Sequence, residues 1–395
     1  MIEKALQGGK AYWTLVIILL AIVGVGTLAY LKQFTEGLTV TGLSRDVSWG
    51  LYIAQFTFMV GVAASAVMVV LPYYIHNYKK FGKITILGEF LAIASCVMCM
   101  TFIFVDMGQP FRILNVFLHP SPNSLMFWDT VVLFGYLVLN LLISWTVLGA
   151  EKKGIAPPKW IKPIIIISIP WAVSIHTVTA FLYSGLAARP FWMTAVLAPR
   201  FLASAFSAGP ALLIIFCLIL RKYTKFDVGR EPIQKLAVIV TYAMLINVFL
   251  ILMEVFTAMY SGIPEHLDHF KYMFFGMVDA EGILHTNLVP WMWLSACLGV
   301  LSVILLVVPK FRMKEGLLAL ACIFVFFSLW IDKGMGMIVA GFTPNPSHGV
   351  FPYTPTFIES MITLGVWGLG ALIVTVLYKV ALTLRKQVDT NRYRA

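Results

Sequence analysis

An all-α, polytopic membrane fold with ten spans is what this sequence predicts, and three observations predict it. Of its 395 residues 60% are hydrophobic and only 12% are charged, with a mean hydropathy of +0.89. The apolar residues gather into ten segments, each close to or above the ~20 residues a helix needs to cross hydrocarbon. The lysines and arginines fall in short clusters between those segments. Together these features exclude a soluble globule and a disordered chain. The partner they imply is a lipid bilayer and not a nucleic acid, because the net charge of +11 is distributed as a topology signal.

The segments lie at roughly 12–31, 50–75, 84–106, 125–148, 163–184, 201–221, 236–261, 288–308, 317–333 and 357–380. The first follows Lys4 and Lys10 as a signal peptide would, but its apolar core is too long and no small-residue cleavage site follows, so it is read as an anchor. The second opens with Trp49, Tyr52 and Gln55 and continues through Gly61 and Ser65, small residues that let helices approach closely. Gln55 lies about a turn inside and has the chemistry to hydrogen-bond a carbonyl in an apolar pocket.

The third segment carries Glu89 near one end, either snorkelling toward Lys83 or serving as a proton entrance, and Asp106 at the other, expected to clamp Arg112. The fourth holds Asp129, Tyr136, Asn140 and Ser144, which at 100° per residue fall within ~80° of one another as a polar stripe. The fifth has His176, Thr179, Ala180 and Tyr183 at i, i+3, i+4 and i+7. They share one face, and an imidazole there must point into a bundle, since its exposure to hydrocarbon is costly.

The seventh repeats the idea with Asn247, Glu254 and Ser261 at heptad spacing. Ionising a carboxyl group in hydrocarbon is costly, so Glu254 is read as a functional residue and a candidate proton carrier. The ninth ends at Asp332 and Lys333, expected at the rim. Trp49, Tyr52, Trp128, Trp192, Trp291 and Trp293 fall at span ends as an interfacial belt, with one or two touching a ligand. All five cysteines lie in apolar segments, where thiols pack, so the Cys96-x-x-Cys99 spacing is not read as a redox motif.

Only seven of the 29 basic residues (Lys32, Arg45, Arg112, Arg189, Arg200, Lys271 and Lys333) fall on the side away from the termini, so both ends are expected in the cytoplasm. The opposite side has the longer loops, rich in proline, glycine and aromatics, suited to hold a soluble partner. Residues 109–116 (QPFRILNV) and 189–196 (RPFWMTAV) suggest a faint internal repeat. The histidine and cysteine pattern offers neither a facing histidine pair for haem b nor a cysteine set for an iron–sulfur cluster. Electrons, if moved, are expected to travel on a diffusible membrane carrier.

The segments Trp49-Gly-Leu-Tyr52, Asp106-Met-Gly-Gln-Pro-Phe-Arg112, Phe127-Trp-Asp129, Ser174-Ile-His-Thr-Val-Thr179, Ala188-Arg-Pro-Phe-Trp192 and Ala198-Pro-Arg200 together resemble the polysulfide-reductase membrane-subunit family, also called NrfD-like. Within it the resemblance is to the ten-helix DsrP-type subunits of the DsrMKJOP complexes of dissimilatory sulfur metabolism. It covers essentially the whole chain. It implies one membrane unit with an anchor helix at 12–31, four-helix bundles at 50–184 and 201–340, and a last helix and cytoplasmic tail at 357–395. The implied function is a quinone-reactive subunit of a multisubunit oxidoreductase, not a stand-alone enzyme. It would exchange electrons between menaquinone and an iron–sulfur partner, with proton translocation as an added expectation, and would carry no haem or cluster of its own.

The implied partners are a periplasmic-side ferredoxin-like subunit (DsrO-like), cytochrome subunits (DsrM-like and DsrJ-like) and a cytoplasmic iron–sulfur subunit (DsrK-like), in the cytoplasmic membrane. On that basis Tyr52, Gln55, Asp129, His176 and Tyr183 are expected near the quinone head group, with His176 or Asp129 exchanging its protons. Glu89, Tyr136, Asn140 and Glu254 are expected on the proton path. Two other readings fit ten spans with buried carboxylates: a secondary transporter, which should show helices broken at mid-membrane, and a purely structural anchor, in which His176→Ala would be silent.

Overall fold

The computed structural model describes residues 2–224 and 226–392. Among them are ten helices long and apolar enough to cross a membrane: α1 Lys10–Val40, α2 Leu51–Tyr74, α3 Lys79–Asp106, α4 Leu125–Lys153, α5 Ile161–Ser184, α6 Leu197–Tyr223, α7 Arg230–Ser261, α8 Val289–Val307, α9 Glu315–Phe342 and α10 Phe357–Arg385. The chain is an all-helical, multi-pass membrane protein. Its strands are two-residue pieces, β1 Met277–Val278 and β2 Leu284–His285, paired antiparallel. An even number of crossings leaves both ends on one side, here the terminal face, where Lys379 lies 5.5 Å over the ring of Tyr12. The other side is the loop face.

Helices α2 to α5 pack as one group, and α6 to α9 as another. The groups meet where α2 lies against α6 and α9, and where α5 meets α6. The helices α1 and α10 pair with each other and lean on α3. This pairing depends on two glycines: a Cβ on Gly26 or Gly365 would sit 2.5–2.6 Å from the other's Cα, closer than atoms can approach. Since nearly all of α2 is buried between the groups, a polar residue on any of its faces meets protein and not lipid. That places Tyr52, Gln55 and Thr57 at interfaces whichever way they turn.

Several expectations are corrected. The ninth helix does not end at Asp332 and Lys333. It continues to Phe342 through a π-helical segment, Trp330–Gly336, so both charges lie inside the span. The charged pair is tolerated there because Arg200 neutralises Asp332, and the apolar run from Met335 to Phe342 completes the crossing. Arg200, read as a loop residue, stands in the first turn of α6.

Asp106 does not clamp Arg112. Its Oδ1 is buried without a hydrogen-bond partner, and among the described residues no ion pair joins the two. The aromatic belt is half a belt: Trp128, Trp291 and Trp293 are exposed, whereas Tyr52 and Trp192 are fully buried. The segment 262–287 is not simply a loop but contains the helix Pro264–Phe275 and the β1–β2 hairpin. His285 closes that hairpin on Asp279 at 2.7 Å, and this bond, with backbone amides of Ile283 and Glu281, holds the Asp279 carboxyl below the usual range.

The two similar loop segments do share local geometry. Pro110–Arg112 and Pro190–Trp192 are each a single 3-10 turn, entered from Gln109 at φ −133°, ψ 75° and from Arg189 at φ −129°, ψ 77°. A proline fixes the first φ of the turn and keeps the preceding residue out of the α region, so the same short motif folds the same way twice.

Candidate functional site

The polar residues concentrate in the half of the protein nearer the loop face, where α2, α5, α6 and α9 come together. His176 is fully buried, and its Nδ1 lies 2.9 Å from the Ala172 carbonyl one turn back. If Nδ1 carries the proton for that bond, Nε2 is left as an acceptor; the ring also lies near the Gly61 backbone, but Nε2 makes no well-formed hydrogen bond. Lys333 reaches the same place from the π turn of α9. Its Nζ is buried without a hydrogen bond, 4.2 Å over the centroid of Phe201, and its charge is close enough to act on His176. Gly61 makes the room: a Cβ there would lie 3.2 Å from Lys333 Nζ.

Asp129 joins this layer from α4. Thr179 Oγ1 lies 2.6 Å from Asp129 Oδ1 and 2.7 Å from the Ile175 carbonyl. One hydroxyl proton serves two acceptors, so the contact survives in either protonation state of the carboxyl. With Asp129 ionised the threonine donates to it; with Asp129 protonated the acid donates and the threonine turns to Ile175. Tyr183 and Thr57 are hydrogen-bonded through their hydroxyls, and Thr57 also reaches the Ile53 carbonyl at 2.7 Å. An aromatic lid covers this layer on the loop side: the Tyr183 ring packs against Trp49, Trp192 and Phe201 at 5.6, 5.2 and 5.9 Å.

The remaining sequence-selected residues sit elsewhere. Tyr52 turns toward α1, donating to Gln33 Oε1 at 2.6 Å, and Gln33 in turn bonds the Val105 carbonyl. Gln55 faces α9 and α10, where its Oε1 accepts from the indoles of Trp330 (2.8 Å) and Trp367 (2.9 Å). An indole N–H only donates, so this geometry fixes the orientation of the amide. Glu89 accepts from Ser144 at 3.1 Å between α3 and α4, in the half nearer the terminal face. Tyr136 and Asn140 are buried on the same face of α4, with Asn140 bonded to the Tyr136 carbonyl. Glu89 lies within charge range of Tyr74 and Arg385, two of the residues around a cavity of about 940 Å3 on the terminal face.

Glu254 is not part of that column. Arg200 Nη1 holds it at 2.5 Å, and Arg200 Nη2 holds both oxygens of Asp332 at 2.8 Å. The structure therefore brings together His176, Asp129 and Tyr183, and separately Glu89, Tyr136 and Asn140, while Tyr52, Gln55 and Glu254 face other neighbours. Sequence reading missed Lys333 and Arg200 as interior groups. The available signal was the apolar run after Lys333, interrupted by three glycines but not by a charge.

The chain is a ten-span helical membrane protein that buries titratable groups inside the bilayer, some of them without a charged partner. Residues 39–341 match the family described as polysulphide reductase, NrfD, and the chain belongs to that family. The chain is similar to a selenate reductase subunit of Mesobacillus selenatarsenatis, 24% identical over 97% of this chain and 96% of the relative. It is also similar to an Hdr-like menaquinol oxidoreductase integral membrane subunit of Archaeoglobus fulgidus, 24% identical over 78% of this chain and 74% of the relative. These names span more than sulfur chemistry, so they support the family more broadly than the DsrP-type subunits. Among solved structures, bd oxidase from Geobacillus thermodenitrificans shares the fold, with a TM-score of 0.57 at 12% identity, covering 93% of this chain and 98% of that one.

Proposed function

We propose that this chain is the quinone-interacting integral membrane subunit of a respiratory redox complex, passing electrons between menaquinone or menaquinol and an iron–sulfur partner subunit. One relative is by name a subunit of a menaquinol oxidoreductase, and another of a selenate reductase. The observation that carries the reading is two polar atoms, His176 Nε2 and Lys333 Nζ, each buried without a hydrogen-bond partner, with the Lys333 charge within range of His176. A quinol oxygen needs an acceptor for its proton and a donor for its lone pair, and these two atoms are one of each. Asp129, tethered by Thr179, is the group that takes the proton onward. Tyr183 and Trp49 exclude water from above.

The quinone supplies the two-electron, two-proton chemistry when bound; the residues of this chain orient it and move its protons. Glu89, Tyr136 and Asn140 form the path toward the terminal face, ending at the cavity beside Tyr74 and Arg385. Glu254 fixes Arg200. The excess of lysine and arginine puts the terminal face in the cytoplasm, and the loop face then receives the iron–sulfur partner across the membrane. The finer reading is a complex of dissimilatory sulfur metabolism with DsrO-, DsrM-, DsrJ- and DsrK-like partners. It is favoured by the motif resemblance across the whole chain, with two four-helix units at 50–184 and 201–340.

The test is quinol-driven reduction of the partner clusters in the purified complex. His176→Ala and Lys333→Met should each slow it by about 100-fold or more, since positioned acid–base groups contribute on that order. Wild-type rates in both would remove the site. Recovery of the chain without any iron–sulfur partner would remove the function.

A further inference from the structure

On the other side of α2 from His176 lies a second place suited to a ligand. Gln55 and Thr57 are two residues apart, about 200° around the helix, so the side that meets Tyr183 is opposite the side that meets Trp330 and Trp367. There a cavity of about 390 Å3 opens between the loop-face ends of α8, α9 and α10. Its aromatic walls are Trp291, Trp330, Trp367 and Tyr353, and no charged residue lines it. Its rim residues Trp291 and Leu364 are half exposed, on the lipid-facing outside of the helices. None of Asp129, His176 and Tyr183 lines it.

Two details suggest a built site. The first is Thr363, which lines the cavity and is 8% exposed, yet its Oγ1 is buried with no hydrogen-bond partner. Helical threonines elsewhere in this chain satisfy their hydroxyls on the carbonyl four residues back, as Thr27, Thr101 and Thr375 do at 2.7–2.9 Å. Thr363 does not, so one buried donor is left beside the cavity. The second is Gln55, whose single oxygen holds both wall indoles. The Tyr353 hydroxyl is likewise fixed, donating to Glu359 at 2.6 Å and accepting from the Leu51 amide at 2.8 Å; burial beside that carboxylate pushes its pKa up and keeps the donor in place.

We propose that this cavity is a second binding site for a neutral, lipid-soluble ring compound of the quinone class, with the Thr363 hydroxyl donating to a ring carbonyl. Rigid aromatic walls favour a flat ring by offset or edge contacts. The absence of any lining charge disfavours a phospholipid head group or an ion, and the volume is that of a small-ligand pocket. Gln55 is a positioning residue that holds two walls. The ligand class rests on the function proposed above; the existence of the site rests on Thr363, the tryptophans and the cavity.

The test uses the full-length chain in phosphatidylcholine nanodiscs. Menadione should quench tryptophan fluorescence with a saturable phase, weakened five- to tenfold in Thr363→Val, an isosteric change that removes one hydrogen bond. It should be weakened at least tenfold in Leu364→Phe, which narrows the rim. An azido-naphthoquinone should label peptides within 353–367. Thr375→Val, on the same helix but away from the cavity, should shift the saturable phase less than twofold. Unchanged affinity in both Thr363→Val and Leu364→Phe, or labelling confined to α4 and α5, would overturn the second site. So would saturable quenching by brominated phosphatidylcholine that menadione does not displace, since the occupant would then be an acyl chain. Loss of turnover in His176→Ala is read independently, so the function can fail while the cavity still binds, and the reverse.

Discussion

In α6–α9 the buried charges answer one another: Arg200 bonds Glu254 through one nitrogen and both oxygens of Asp332 through another. In α2–α5 the titratable groups stand among neutral partners, Asp129 with Thr179, Glu89 with Ser144, and His176 with a backbone carbonyl. Lys333, at the seam between the groups, lies over the ring of Phe201 in α6 and not on a carboxylate. The difference is one of commitment. A charge balanced by its neighbour in a low dielectric is held in one ionisation state, because losing or gaining a proton would leave the neighbour uncompensated. A carboxyl or imidazole beside a hydroxyl or carbonyl has no charged neighbour to leave uncompensated, which is the condition proton exchange requires. On the function proposed above, α6–α9 would be the rigid group and α2–α5 the chemical one.

The sharpest way to break this division is Asp129→Asn. It should cut quinol-driven electron transfer by about 100-fold or more while leaving the thermal transition of the purified complex within a few degrees. A strong loss of stability with normal turnover per folded molecule would reverse the roles of the two groups. Next in size is Arg200→Met, which leaves two carboxylates buried without their cation and should destabilise the chain by on the order of 3–5 kcal/mol. Unfolding by denaturant in detergent measures it, and Arg200→Met combined with Glu254→Gln should recover part of the loss. No recovery would mean the cluster is not a closed unit.

A smaller effect is expected from Gly61→Ala. The added Cβ would stand 3.2 Å from Lys333 Nζ, so the ammonium must move by a few tenths of an ångström. Turnover should fall about two- to fivefold, with little change in stability, as misplacement of a polar group near the reaction affects rate before it affects folding. An unchanged rate would free Lys333 from the site.

The smallest concerns the loop face. His269 is buried in the helix Pro264–Phe275, its Nδ1 2.6 Å from the Ala340 carbonyl and 3.2 Å from that of Thr343, and burial lowers its pKa from the ordinary 6.5. A lowered histidine pKa means the folded state holds the neutral ring. The contribution to stability is therefore full above pH 6.5 and is lost as pH falls from there through the lowered value. Hydrogen-exchange protection in 264–275, taken relative to the intrinsic rates, should fall modestly between pH 7.5 and pH 5, with α6–α9 unaffected. Equal protection at both values would detach His269 from the docking of this helix.

Much of this was legible from residue order. The face shared by His176, Thr179 and Tyr183 and the stripe of Asp129, Tyr136, Asn140 and Ser144 are helical periodicity read directly, and those groups do point inward. The three residues that turned elsewhere did so for reasons periodicity does not contain. Gln55 and Tyr52 sit on a helix buried on every side, so being polar on α2 says only that a partner exists, not which helix supplies it. Glu254 had the spacing of a proton carrier but a cation 54 residues away in the chain within bonding distance.

Lys333 is the clearest case. Taken alone, Asp332-Lys333 at the end of an apolar run marks a membrane rim, because two charges are costly in hydrocarbon. It is Arg200 from another helix that removes half of that cost and lets the span continue. The sequence by itself determined the number of spans, the approximate limits of all but the ninth, and the inward faces of α4 and α5, since transfer to lipid is a sum over local residues. Which buried group meets which, and so whether a charge is locked or left free to exchange a proton, was decided only by the packing of the helices, because that depends on distances between residues far apart in the chain.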